Sequence, residues 1–350
     1  MKENINKRIG IDKLMTNKKI NIEFIRIFAI FFTIMIHVSN VYIYNFEKID
    51  NLDFFISVIY NSFARICVPL FFMISGIFLI KQEYNKEKYI KRIKKYIFLL
   101  IVWSIIYYLI NNNFNIINFS STIVNSIVNA YMTSRHLWFM YAIIGLYIAL
   151  PFIQSMCKNL TKEQENIFII LWTILSGSIV IFIPLARIIT KTNIDISYPI
   201  PIINSAYYLG YFISGYIIYE RLKEHKTNKK HNIFLILFYV LSSLITALST
   251  YFITIAQNKV FDKMMWYRSI FIVIASISIF SLIIINESKI KNPIILKLSK
   301  YSFGIYLIHM IFLKIIKSNI NIISLNPIIF IPLITIIIYI LSLLSCIIIK

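Results

Sequence analysis

The sequence predicts an all-α, polytopic membrane protein with about ten transmembrane helices around a central cavity and both termini cytoplasmic. Three observations predict it. The 350-residue chain is 59% hydrophobic and 15% charged, with a mean hydropathy of +0.75, whereas a soluble domain is near half apolar and about a quarter charged. Apolar runs long enough to cross a bilayer recur along the whole length. Lys and Arg gather in every second connection, the asymmetry that orients membrane helices.

A basic cytoplasmic segment, 1–19, leads into one transmembrane unit, 20–350. The first span, 20–42, is too long for a signal peptide and lacks a small-residue cleavage site. It carries NIEFIRIFAIFFTIMIHVSN, in which Arg26 and His37 lie eleven residues apart. Eleven helical steps leave two side chains about 20° from alignment and roughly 16 Å apart along the axis, so both share one face. A guanidinium stays charged and is costly in lipid, while an imidazole exchanges a proton near neutral pH. The bland readings are an Arg26–Glu23 pair at i and i+3 or snorkelling for the arginine, and an interhelical hydrogen bond for the histidine.

The second span, 55–80, holds RICVPLFFMISGIF. Arg65 near its middle must face protein or water, Pro69 is expected to kink the helix, and Gly76 allows close backbone approach by a helix or a ligand. The third span, 96–111, and the ninth, 301–316, are short, which predicts tilted or partly buried helices. The fourth, 136–154, opens with SRHLWFMY, placing His136 and Trp138 at the outer interface, where aromatic anchors are routine. Spans at 166–185, 205–220, 232–254 and 268–286 follow. The ninth has YSFGIYLIHMIF, with Ser302, Tyr306 and His309 on one helical face. The tenth, 328–349, returns Lys350 to the inside. With this topology 25 Lys and Arg are cytosolic and 8 are outside, leaving Arg26, Arg65 and Lys314 within spans.

The net charge of +21 is therefore a topology signal, not a nucleic-acid footprint. The basic inner surface also suits anionic lipid headgroups and the phosphates of a soluble cofactor. Cys67, Cys157 and Cys346 are scattered without metal or disulfide spacing. There is no Gly-rich phosphate loop, no H-E-x-x-H and no G-x-S-x-G. No metal and no tightly bound cofactor is expected.

Together, Arg26-x10-His37, Arg65 followed by PLFFMISG, HLWFMYAIIGLY and FGIYLIH resemble the acyltransferase 3 family, in the same order and over essentially the whole chain. The resemblance implies an integral-membrane O-acyltransferase moving an acetyl group from acetyl-CoA, a co-substrate, to a hydroxyl of a cell-surface polysaccharide, a lipid-linked sugar or another envelope glycan. The location implied is the bacterial cytoplasmic membrane; association into a homo-oligomer stays open. Unlike fused members, the chain carries no attached esterase-like or racemase domain, which favours a stand-alone glycan acetyltransferase. In this reading His37 is the general base and Arg26 its partner, holding the donor. Arg65, Ser75 and Gly76 bind the donor or the developing oxyanion, and His136, Trp138, Tyr306 and His309 line the cavity on the acceptor side. The alternative is a transporter or flippase of lipid-linked glycan or small solute, whose pathway would use the same intramembrane charges. Against it, repeated halves and Gly/Pro-interrupted helices are not evident. The other large class of membrane-bound O-acyltransferases ranks lower, since no long-spaced intramembrane Asn-to-His pairing stands out.

Overall fold

A computed structural model describes residues 2–112, 120–121, 124, 134–175, 201–225, 228–286 and 292–349, with 2–19 and 201–206 described by backbone alone. Its helices are α1 (Lys2–Ile43), α2 (Asn51–Ala64), α3 (Cys67–Ile80), α4 (Lys86–Asn111), α5 (Trp138–Lys158), α6 (Pro201–Leu222), α7 (Lys229–Gln257), α8 (Ile270–Ile285), α9 (Ile294–Leu298), α10 (Ser302–Asn319) and α11 (Pro327–Ile348). A further helical run covers 162–175, and no strand occurs among the described residues. This is the architecture that lipid demands, because only a helix satisfies its own backbone without water.

Eight segments among the described residues are long and apolar enough to cross a membrane, against the ten expected. The expected span 166–185 runs beyond residue 175 and lies partly outside the described residues, as does most of the outer connection 112–135. The expected span 205–220 falls within α6.

Two expected boundaries need correction. The third span is not a short helix: α4 starts at Lys86 and continues through the basic run KEKYIKRIKK. Hydropathy marks where a helix meets lipid, not where it starts. Lys, Glu and Arg extend helices well in water, and Asn85 caps this one by accepting from the Lys88 amide at 2.9 Å. Likewise α9, a 3₁₀ turn at Ser299–Tyr301 and α10 form one candidate span, Ile294–Asn319, in place of 301–316.

The second span is interrupted, with α2 ending at Ala64 and α3 starting at Cys67. Pro69 accounts for the position of the break. It has no N–H to give the carbonyl four residues back, which belongs to Arg65. Arg65 and Gly76 thus lie on opposite sides of the break and do not share one continuous helical face.

Helix α1 is the hub, packing against α2, α3, α10 and α11. Its buried residues Ile25, Ala29, Ile30 and Ile34 belong to the main apolar cluster. The closest pairing joins α3 to α6. A Cβ on Gly76 would lie 1.9 Å from the Phe212 carbonyl oxygen, and one on Gly215 would lie 2.3 Å from the Met73 Cα. Small residues that admit a neighbouring backbone are the usual means of tight packing in lipid, where burial of apolar surface drives little.

Candidate active site

Three histidines from three elements meet in the interior. His37 comes from α1, His136 from the 3₁₀ turn Arg135–Leu137 that precedes α5, and His309 from α10. The His37 ring centroid lies 5.2 Å from that of His309 and 6.4 Å from that of His136, and the latter two are 5.3 Å apart. His136 and His309 are 2% and 0% exposed, while His37 is half-buried.

His309 and His136 are each held by groups close by in the chain. The Nδ1 of His309 lies 2.7 Å from the Tyr306 carbonyl and 3.2 Å from that of Ile305. Carbonyls only accept, so Nδ1 carries the hydrogen and Nε2 keeps a lone pair. That Nε2 is buried without a partner. His136 Nδ1 is 2.6 Å from the Ser134 hydroxyl, and its Nε2 is likewise buried and unpartnered. Tyr107 packs its ring edge-on to His136 at 4.7 Å, and its hydroxyl donates to the Leu307 carbonyl at 2.7 Å.

Arg65 stands at the helix break, within electrostatic range of His37. Its Nε donates to Asn61 Oδ1 at 2.7 Å, and the guanidinium lies 5.8 Å from the Tyr267 ring centroid. Asn61 is fixed in turn, its amide donating towards the Ile36 carbonyl, the Ser39 hydroxyl and Asn40 Oδ1 at 3.2, 2.8 and 2.9 Å. The break leaves Arg65 with a short tether to α1, at the level of His37.

A cavity of about 330 Å³ lies towards the other end of α1. Its wall includes Arg26, Ser75, Tyr96, Lys300, Ser302 and Tyr306. Arg26 pairs with Glu23 at 2.6 Å, the i and i+3 partner weighed from sequence, and its guanidinium lies 5.5 Å from the Phe78 ring centroid. It keeps partial exposure to the cavity, with 30% of its side chain accessible. The Ser75 hydroxyl donates to the Phe71 carbonyl at 2.8 Å, which commits its hydrogen to its own helix.

Tyr306 belongs to both regions. It lines the cavity, and its hydroxyl donates to the His136 carbonyl at 2.7 Å. Its ring centroid lies 5.6 Å from His136 and 6.1 Å from His309. The cavity wall does not include His37; Tyr306 is shared by that wall and the histidine cluster, through His136 and His309.

The structure therefore brings His37, His136, His309 and Tyr306 together and sets Arg26 and Ser75 apart from them in the cavity wall. Arg65 sits on the histidine side, outside the cavity lining. Gly76 lines neither region: it serves the α3–α6 contact, the packing reading weighed from sequence. Trp138 is half-buried and packs against the rings of Tyr208 and Tyr267 at 5.2 and 5.6 Å. Sequence reasoning did not single out Asn61, Tyr107, Ser134 or Lys300. The position of Asn61, one helical turn before Arg65, was the available signal. Ser134 opens the SRHLWF motif, whereas Tyr107 and Lys300 carried no signal beyond an apolar and a basic run.

Among the described residues, no group of three His, Cys, Asp or Glu is arranged to hold a metal ion. What the arrangement offers is three clustered imidazoles, that of His309 with an open lone pair, a nearby guanidinium, and a separate basic cavity. A family model described as an acyltransferase domain, that of acyltransferase 3, matches residues 19–349. No curated protein and no solved structure matches the chain.

Proposed function

The chain belongs to the acyltransferase 3 family, and from that premise we propose that it is a membrane-bound O-acyltransferase of the bacterial cytoplasmic membrane. It moves an acetyl group from acetyl-CoA to a hydroxyl of a cell-surface polysaccharide or another envelope glycan. The observation that carries this reading is the position of Tyr306, one side chain shared by a basic cavity and a cluster of imidazoles. Donor and acceptor thus have separate approaches that converge on one place.

In this mechanism the donor enters from the cytosol into the cavity whose wall includes Arg26 and Lys300. Arg26 and Lys300 supply positive charge to its phosphates. The pantetheine arm brings the thioester past Tyr306 to His37. The acceptor hydroxyl arrives from the outer side, and His37 takes its proton as the oxygen attacks the thioester carbonyl. Arg65, held by Asn61 at the level of His37, stabilises the oxyanion that develops. When the C–S bond breaks, the thiolate takes the proton from His37, and the products are acetylated glycan and free CoA. No net proton is released.

The test uses purified protein in lipid nanodiscs, radiolabelled acetyl-CoA and envelope glycan. Label is expected in the glycan, and His37→Ala is expected to reduce its rate by about 10²–10⁴-fold, the usual contribution of a positioned acid–base group. Undiminished turnover by folded His37→Ala removes the base. Movement of glycan across the bilayer without acyl transfer replaces the enzyme with a carrier.

A further inference from the structure

The reaction consumes and returns one proton at His37, so its two histidine neighbours are not needed to carry protons away. A general base has another requirement. One ring nitrogen must present a lone pair to the acceptor, and the other, as N–H, must be held so that tautomer and ring direction are fixed. His309 has the features for that task.

Its Nδ1–H is committed to the Tyr306 carbonyl. The committed nitrogen faces its own helix, so the free Nε2 is turned away from the α10 backbone. It is a buried acceptor with no partner, a costly condition unless something fills it. The nearest other imidazoles are those of His37 and His136. Two imidazoles joined by a hydrogen bond of about 3 Å have centroids separated by about 5 Å, since each nitrogen lies about 1 Å from its own centroid. The His37–His309 separation is 5.2 Å, whereas the His37–His136 separation is 6.4 Å. Distance thus selects His309 over His136 as the partner of His37, and the two rings, tilted by 43°, stand near such a bond without making it in this structure.

We propose that His309 is a positioning residue for His37: when the substrates are bound, its Nε2 accepts the hydrogen of one His37 ring nitrogen and leaves the other free to serve as base. This rests on the reading of His37 given above. The chain of restraint runs from the α10 backbone through His309 to His37. A neutral imidazole does here what a carboxylate does in other base-orienting arrangements, without placing a negative charge in the membrane.

The experiment compares His309→Leu, which fills space without an acceptor, with His309→Gln, which restores an acceptor oxygen. Steady-state kinetics in nanodiscs and monodispersity on size exclusion are read for each. For His309→Leu, kcat is expected to fall by about 10²-fold with the KM for acetyl-CoA unchanged within about twofold, and His309→Gln is expected to recover at least about tenfold of that loss. His309→Met takes the place of His309→Leu if the latter does not stay monodisperse. Wild-type kcat in His309→Leu, or equal losses in the Leu and Gln variants, overturns the positioning role while leaving the enzymatic reading intact. A wild-type protein that transfers no acetyl group removes both.

Discussion

Ser75 and Arg26 face the same cavity, yet their side chains offer it different things. The hydroxyl hydrogen of Ser75 already goes to the Phe71 carbonyl at 2.8 Å, so Ser75 can only accept, and the phosphates and carbonyls of a CoA-type donor need hydrogen-bond donors. Arg26 gives one nitrogen to Glu23 and retains others for a ligand. Ser75→Ala is therefore expected to leave the KM for acetyl-CoA within about twofold of wild type. Arg26→Gln should raise it about tenfold, the equivalent of about 1.4 kcal/mol. Titration of both variants with acetyl-CoA checks this; a large effect of Ser75→Ala would show that its hydroxyl turns towards the ligand. Single-residue chemistry could be read from the sequence where a residue type is out of place in lipid, as with Arg26, His37 and Arg65. The company those residues keep could not. His37, His136 and His309 stand on three separate elements, and no periodicity within one helix reveals a neighbour contributed by another. Trp138 shows the same limit: a tryptophan at a span end usually anchors to the interface, and its packing against Tyr208 and Tyr267 carries no signal in the sequence.

At the scale of helices, the sequence reports lipid contact more faithfully than helix limits. Helix α4 extends into its basic run because Lys and Glu cost a helix little, and no change in hydropathy marks its start. Span 51–80 reads as one apolar segment, yet it parts at Arg65 because Pro69 cannot complete the hydrogen bond there. The contact between α3 and α6 is the most constrained helix pair: Gly76 lies against the Phe212 carbonyl, and Gly215 against the Met73 backbone. A methyl group at either position meets main-chain atoms, which cannot rotate aside. Gly76→Ala is expected to cost about 1–3 kcal/mol, seen as a Tm lowered by several degrees in detergent. The donor KM of the remaining folded protein should stay unchanged. An unaltered Tm would mean that α3 and α6 separate readily, and a raised KM in folded protein would return Gly76 to the ligand.

Across the whole molecule, the working parts form two compartments, a basic cavity at one level and three imidazoles at another, with Tyr306 as their common wall. Its hydroxyl is the directional element of that wall, while Phe139 and Phe303 pack beside it at 5.4 and 6.0 Å without comparable specificity. Tyr306→Phe keeps the ring and loses the bond to the His136 carbonyl. In the absence of glycan, this variant is expected to hydrolyse acetyl-CoA several-fold faster than wild type, as measured by release of free thiol. Equal background rates would show that the aromatic packing alone keeps the compartments apart. Opening a buried bond of this kind leaves its donor and acceptor unpaired, at a cost of about 1–3 kcal/mol. In the proposed reaction that cost is light enough for an arriving thioester to meet without help from another protein, yet it keeps the contact closed to solvent most of the time. Idle leakage and forward turnover are thereby tied to the strength of one phenol–amide contact, and neither can be tuned there without moving the other.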